Sequence, residues 1–212
     1  TFMEHVKDWP TDISNGTILV MDKFMDYALD PISENPASFN NILYQWLHSA
    51  DYSMTKYSVT HFADFYRGIK KIADLLDGLD LPANIKLYID RISGLLKETP
   101  LQKLSETETG QKFSPRQNLY FAHHLRGRHR NGTQELMDIY SRLDAWYSMA
   151  VAVKTYGLSF PEFTEQQTPL VDAKGLYHIL IPNPVPYDLQ MNPEHNFLFL
   201  TGANMAGKST LI

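Results

Sequence analysis

Phe197-Leu198-Phe199-Leu200-Thr201-Gly202-Ala203-Asn204-Met205-Ala206-Gly207-Lys208-Ser209-Thr210 joins a short apolar run to a glycine-bounded loop and the start of a helix. Residues 202–209 fit G-x-x-x-x-G-K-[ST], the pattern of a phosphate-binding (Walker A) loop. Such a loop must wrap a polyphosphate and aim several backbone N–H groups at it. Gly202 and Gly207 permit the turn and the close approach. Lys208 brings a positive charge to the β- and γ-phosphates, and Ser209 offers its hydroxyl oxygen to Mg²⁺. A helix beginning near Lys208 would point the positive end of its dipole at the anion. Phe197 to Thr201 reads as a strand buried in a parallel sheet. A nucleotide polyphosphate with Mg²⁺ is therefore the expected ligand, and an α/β nucleotide domain is expected to open here.

Upstream of residue 157 the pattern is helical throughout. Phe39, Ile42, Leu43, Trp46 and Leu47 repeat at i, i+3, i+4, i+7, i+8, the mark of one buried helix face. A second helix is expected from His61 to Leu79, with Thr60 as N-cap and a face of Phe62, Phe65, Tyr66, Ile69, Ile72, Ala73 and Leu76. A third should span Asn84 to Glu98 and end at Thr99-Pro100. A shorter one is expected at Met21 to Leu29. Residues 100–113 are polar and without period, and read as a loop. Ser114-Pro115 is a strong helix start, and that helix should reach Leu125. After a break at Gly127 to Gly132, Thr133 caps the longest helix, which Gly157 stops. Phe39, Trp46, Phe62, Phe65, Leu143 and Tyr147 are expected to be largely buried. Five prolines then fall between Pro161 and Pro186, with the β-prone piece Tyr177 to Ile181 among them. The expected fold is mainly α. Residues 1–157 form a helical domain, and residues 158–212 form the first β elements of a P-loop α/β domain.

Composition sets the outer limits. The chain has 212 residues, 43% of them hydrophobic and 20% charged, which excludes disorder and low complexity. No cysteine is present, so a disulfide scaffold, a zinc ribbon and a cysteine nucleophile are excluded, and a cytoplasmic location is favoured. The net charge of −5 leaves no broad basic coat, so any contact with nucleic-acid phosphate must be local. No apolar run approaches the roughly 20 residues of a membrane span. Thr1-Phe2-Met3-Glu4 reads as the middle of a chain, and Gly207 to Ile212 as the start of a helix, so a piece of a longer protein is expected.

Thr201 to Thr210 closely resembles the phosphate loop of the MutS family of DNA mismatch-repair ATPases, and the Asn204–Met205 pair is the distinguishing mark. The family commonly has Pro where this chain has Ala203. Thr168-Pro169-Leu170-Val171-Asp172 resembles the family's His-Pro-Leu-Val-Glu segment, with Thr168 in place of His. Ile181-Pro182-Asn183-Pro184 resembles the stretch before the loop, where an aromatic residue usually packs on adenine. Leu180 occupies that place, so Leu180 and Ile181 are expected to give plain apolar contact to the base. Leu143 to Tyr156, with Pro161 and Phe163, resembles the helix and linker that lead into the ATPase domain.

The resemblance is sharp over about residues 140–212. Earlier it rests on helical character and order. It implies an ATP-binding, DNA-binding repair protein that works as a homodimer, with residues 1–157 as its helical core and lever. It also implies that the catalytic acidic strand-end motif follows the loop. None occurs here, so ATPase activity is expected of the longer protein and not of this chain. Phe160-Pro161-Glu162 matches the letters of the family's mismatch wedge but lies beside the ATPase entrance and is read as chance. The stretch 100–132 is too short to hold the family's clamp. The alternative is a helical scaffold whose nucleotide domain serves assembly rather than mismatch detection.

His123-His124-Leu125-Arg126-Gly127-Arg128-His129-Arg130 is the densest basic patch. Arg126, Arg128 and Arg130 are candidates for DNA phosphate contacts, against a plain solvated turn. His123, His124 and His129 have no carboxylate neighbour in sequence and make a poor metal site. Asp22 and Asp26 read as surface charge.

Overall fold

The computed structural model describes residues 9–32, 38–165, 168–203 and 207, without the side chains of 38–41. Among the described residues there are seven helices and one two-stranded antiparallel sheet. The helices are α1 (Asn15–Asp26), α2 (Ser38–Leu47), α3 (Ser49–Leu76), α4 (Ala83–Leu96), α5 (Thr99–Ser105), α6 (Pro115–Arg126) and α7 (Arg130–Tyr156). The strands are β1 (Val171–Leu176) and β2 (Tyr187–Met191). The chain divides into two compact units, Thr1–Ala150 and Val151–Ile212.

In the first unit α3 is the central element, packed against α1, α4, α5 and α6. Its face Phe62, Phe65, Tyr66, Ile69, Ile72, Ala73 and Leu76 is buried, as its spacing predicts. Phe24 of α1 meets Phe62 edge-on at 5.8 Å, and Tyr140 of α7 meets Phe65 edge-on at 6.0 Å. Tyr66 is fully buried, and its hydroxyl shares a 2.7 Å hydrogen bond with Thr133 of α7. Burial thus leaves no polar end unpaired on this ring, and holds its phenol well above the usual tyrosine range.

Several boundaries correct the sequence reading. α3 begins at Ser49, not His61, and Thr60 lies inside it, its hydroxyl donating to the Lys56 carbonyl at 3.2 Å. Thr133 likewise sits within α7 and donates to the His129 carbonyl at 2.8 Å. α1 starts at Asn15, because Ser14 and Thr17 cap each other across its first turn. Residues 99–105 are helix rather than loop. Thr99-Pro100 opens α5 instead of merely closing α4, and Leu101 and Leu104 are buried against the core. Proline fits the first turn, where its missing N–H has no partner to lose. Ser114 and Gln117 form a capping box at the start of α6, as expected of Ser-Pro.

The larger correction concerns α2. Its periodic face is bare: Ile42 is 66% exposed and Trp46 78%. Leu43 and Leu47 are exposed as well, and Phe39 lies outside the described side chains. The spacing marks an apolar face, but no element among the described residues buries it. Phe62, Phe65 and Leu143 are fully buried and Tyr147 is half-buried, stacked on Trp9 at 4.7 Å.

The second unit holds the sheet. β1 and β2 pair antiparallel, Val171 opposite Met191 and Leu176 opposite Tyr187. The register shifts between Ala173 and Leu176, where Gly175 takes φ +65 and its amide donates to the Asp188 carboxylate at 2.7 Å. A glycine tolerates that backbone at no steric cost. Tyr177 to Ile181, read as β-prone, is instead extended chain and a turn, closed by the Ile181 amide on the His178 carbonyl at 3.1 Å. Phe197 to Thr201 is not a strand either. It pairs with no other segment among the described residues, and Phe197 is 80% exposed. No helix among the described residues is long and apolar enough to cross a membrane.

Candidate nucleotide site and basic corner

The phosphate-loop candidates fall at the edge of the described chain. Gly202, Ala203 and Gly207 are described, and Gly207 has φ +81, a conformation suited to glycine. Asn204, Met205, Ala206, Lys208, Ser209 and Thr210 lie outside the described residues. Leu180 and Ile181 stand on the turn after β1, with Leu180 75% exposed. Asn183, two residues on, adopts φ 54, a left-handed backbone unusual outside glycine.

The basic patch is fully visible, and its arginines divide. Arg126 donates to the Tyr27 carbonyl. Arg130 donates to the Met25 carbonyl at 2.7 Å and pairs with Asp26 at 2.6 Å. Both guanidinium groups therefore sit on the last carbonyls of α1, which have no partner within that helix. The negative end of the α1 dipole favours positive charge there. Arg128 is exposed on the turn between α6 and α7. Arg130→Ala should therefore destabilise the helical unit by about 1–2 kcal/mol, because it uncovers the α1 terminus. Urea unfolding followed by circular dichroism measures this, and an unchanged midpoint would show the cap to be idle.

Three histidines gather at the same corner. His123 donates from Nδ1 to the Ile32 carbonyl at 2.8 Å, which fixes its tautomer. His124 packs edge-on against Tyr120 at 4.4 Å. His129 is 6% exposed, and its Nδ1 lies 3.2 Å from Glu98. Sequence gave these histidines no carboxylate neighbour; folding supplies Glu98 from the junction of α4 and α5. With Lys97 and Arg128 they border an open cleft of about 490 Å³. Burial lowers the His129 pKa below 6.5, with Arg128 adding to the effect and Glu98 opposing it. A lowered folded pKa means that the unfolded chain takes up the proton first. The stability from neutral His129 is therefore present above pH 6.5 and lost as pH falls through the folded pKa. His129→Asn should flatten that part of the stability profile, as urea titrations at a series of pH values would reveal.

No protein-family model matches the chain, and no solved structure matches it. Eighty residues are 34% identical to the DNA mismatch repair protein MutS of Pseudothermotoga lettingae. The match covers 37% of this chain and 10% of that protein. The chain thus contains a segment similar to part of MutS, and it spans about a tenth of that protein's length.

Proposed function

We propose that this chain is the helical core and the opening of the nucleotide domain of a MutS-like DNA-repair ATPase. The observation that carries the reading is the loop Gly202-Ala203-Asn204-Met205-Ala206-Gly207-Lys208-Ser209, with its Asn-Met pair, in a chain that also matches MutS over 80 residues. In this reading residues 202–210 cradle the phosphates of ATP. Ser209 holds Mg²⁺ through the nucleotide, and Leu180 and Ile181 give the base apolar contact. The longer protein acts as a homodimer on DNA and couples nucleotide state to its grip through the long helices. At the basic corner Arg128 meets a DNA phosphate first, since Arg126 and Arg130 already hold the end of α1. An unrelated P-loop ATPase would share Gly202, Gly207, Lys208 and Ser209 but leaves the Asn204–Met205 pair without a purpose.

Binding of matched and mismatched duplexes to this chain, each at two salt concentrations, tests the DNA half of the reading. Weak, salt-sensitive binding without preference for the mismatch is expected, because contact would be to phosphate alone. Neutralising Arg128 should weaken both duplexes equally. A clear mismatch preference, or binding indifferent to salt, would contradict the assignment of this chain as core rather than reader.

A further inference from the structure

Asp30 meets His48 and Asp51, which stand three residues apart, beside the start of α3. Asp30 stands in the segment after α1, His48 directly precedes α3, and Asp51 lies in its first turn. One ligand atom from each lies within 4.8 Å of the other two. His48 Nδ1 is 2.6 Å from Asp30 Oδ2, and the Asp30 amide donates to Asp51 Oδ2 at 3.2 Å. We propose that Asp30, His48 and Asp51 form a binding site for a divalent transition-metal ion of the zinc type.

The spacing suits such an ion. Tetrahedral zinc with bonds of about 2.0–2.2 Å holds its ligand atoms about 3.3–3.6 Å apart. The His48–Asp30 separation of 2.6 Å is below that value and every other lies within 4.8 Å, so the three ligand atoms already share the space of one ion. The donor set selects the metal. One imidazole beside two carboxylates suits zinc and its neighbours, whereas calcium and magnesium prefer oxygen alone. Three protein ligands leave the fourth position to water. Access is open, since the side chain of His48 is 34% exposed and that of Asp30 56%.

Charge points the same way. Two carboxylates this close repel each other, and a divalent ion offsets both where an imidazolium offsets one. The cation facing them from α6 is Arg126, whose guanidinium already donates to the Tyr27 carbonyl. Tyr44 orients the set from α2: its hydroxyl donates to the Asp30 carbonyl at 3.3 Å, and its ring lies 4.9 Å from that of His48. Such outer contacts hold a ligand in its binding posture. A bound ion would tie the segment after α1 to the α2–α3 junction.

Calorimetric titration of ZnCl₂ into the 212-residue chain near neutral pH tests the site. One equivalent should bind, at least about tenfold more weakly in His48→Gln and in Asp51→Asn, and unchanged in His124→Gln. Asp51→Asn retains an oxygen to accept from the Asp30 amide, so it probes the site without releasing the turn. Circular dichroism verifies that each variant is folded. Co²⁺ should give visible absorption bands that disappear with His48→Gln. The proposal fails if no ion binds, if both site variants bind like wild type, or if His124→Gln abolishes binding.

Discussion

Phe62→Ala should cost the helical unit about 3–5 kcal/mol, the usual loss for emptying a buried phenylalanine site. Phe62 has no exposed surface and sits where α1 crosses α3, edge-on to Phe24. Removing the ring takes away its own burial and also leaves Phe24 facing a void that the two helices cannot close. Domains of this kind are stable by about 5–15 kcal/mol, so a large part of the total would go. Urea unfolding should show an early midpoint. Trp46→Ala is the matching control. Although tryptophan is larger, Trp46 is 78% exposed on the bare face of α2, and its loss should stay within about 0.5 kcal/mol. A Trp46 effect as large as that of Phe62 would mean that the face of α2 is covered in solution.

Lys208→Ala should reduce ATP affinity about ten- to a hundredfold in the longer protein that the loop implies. The lysine is the one full positive charge in the loop pattern, and the backbone N–H groups that remain carry only partial charges. A charge-assisted contact to phosphate is worth about 1.5–3 kcal/mol, which sets that range. Ser209→Ala should act differently. Its loss is through Mg²⁺, so the difference from wild type should shrink when the ion is removed. Nucleotide titration with and without Mg²⁺ separates the two, and circular dichroism confirms that the helices are unaffected. ATP binding by Lys208→Ala at wild-type strength would remove the phosphate-loop assignment and with it the ATPase reading.

How much of this was legible in the sequence depended on what each signal measures. The seven apolar positions from Phe62 to Leu76 fixed the buried face of α3, because periodicity reports directly which side a helix turns inward. The same periodicity in α2 named a face but not a cover. Thr60 and Thr133 were misread as caps because a threonine hydroxyl serves equally well inside a helix, donating back to the carbonyl four residues earlier. Leu101 and Leu104 were hidden by the polar residues around them, and a helix as short as α5 gives periodicity little room to show. Phe197 to Leu200 had the composition of a strand, but a strand also requires a partner. The phosphate-loop assignment rests on pattern alone, since Asn204, Met205, Ala206, Lys208, Ser209 and Thr210 lie outside the described residues. The meeting of Asp30 with His48 and Asp51, and the Glu98–His129 pair, were not legible, since no local spacing links residues that meet only through folding.

The far end of α7 behaves as a different material from its beginning. Its fully buried residues run from Thr133 to Leu143, Trp146 and Tyr147 are half covered, and none of its buried positions lies beyond them. From Met149 to Tyr156, a run of about 12 Å, no residue of the helix is buried, and the Tyr177 hydroxyl donates to the Tyr156 carbonyl at 2.8 Å. Amide protons in that stretch should exchange with deuterium through local fraying, while those near Leu136 wait for the whole unit to open. One continuous helix would thus record two clocks, and the residue at which the slow one gives way to the fast marks where the core stops supporting the rod.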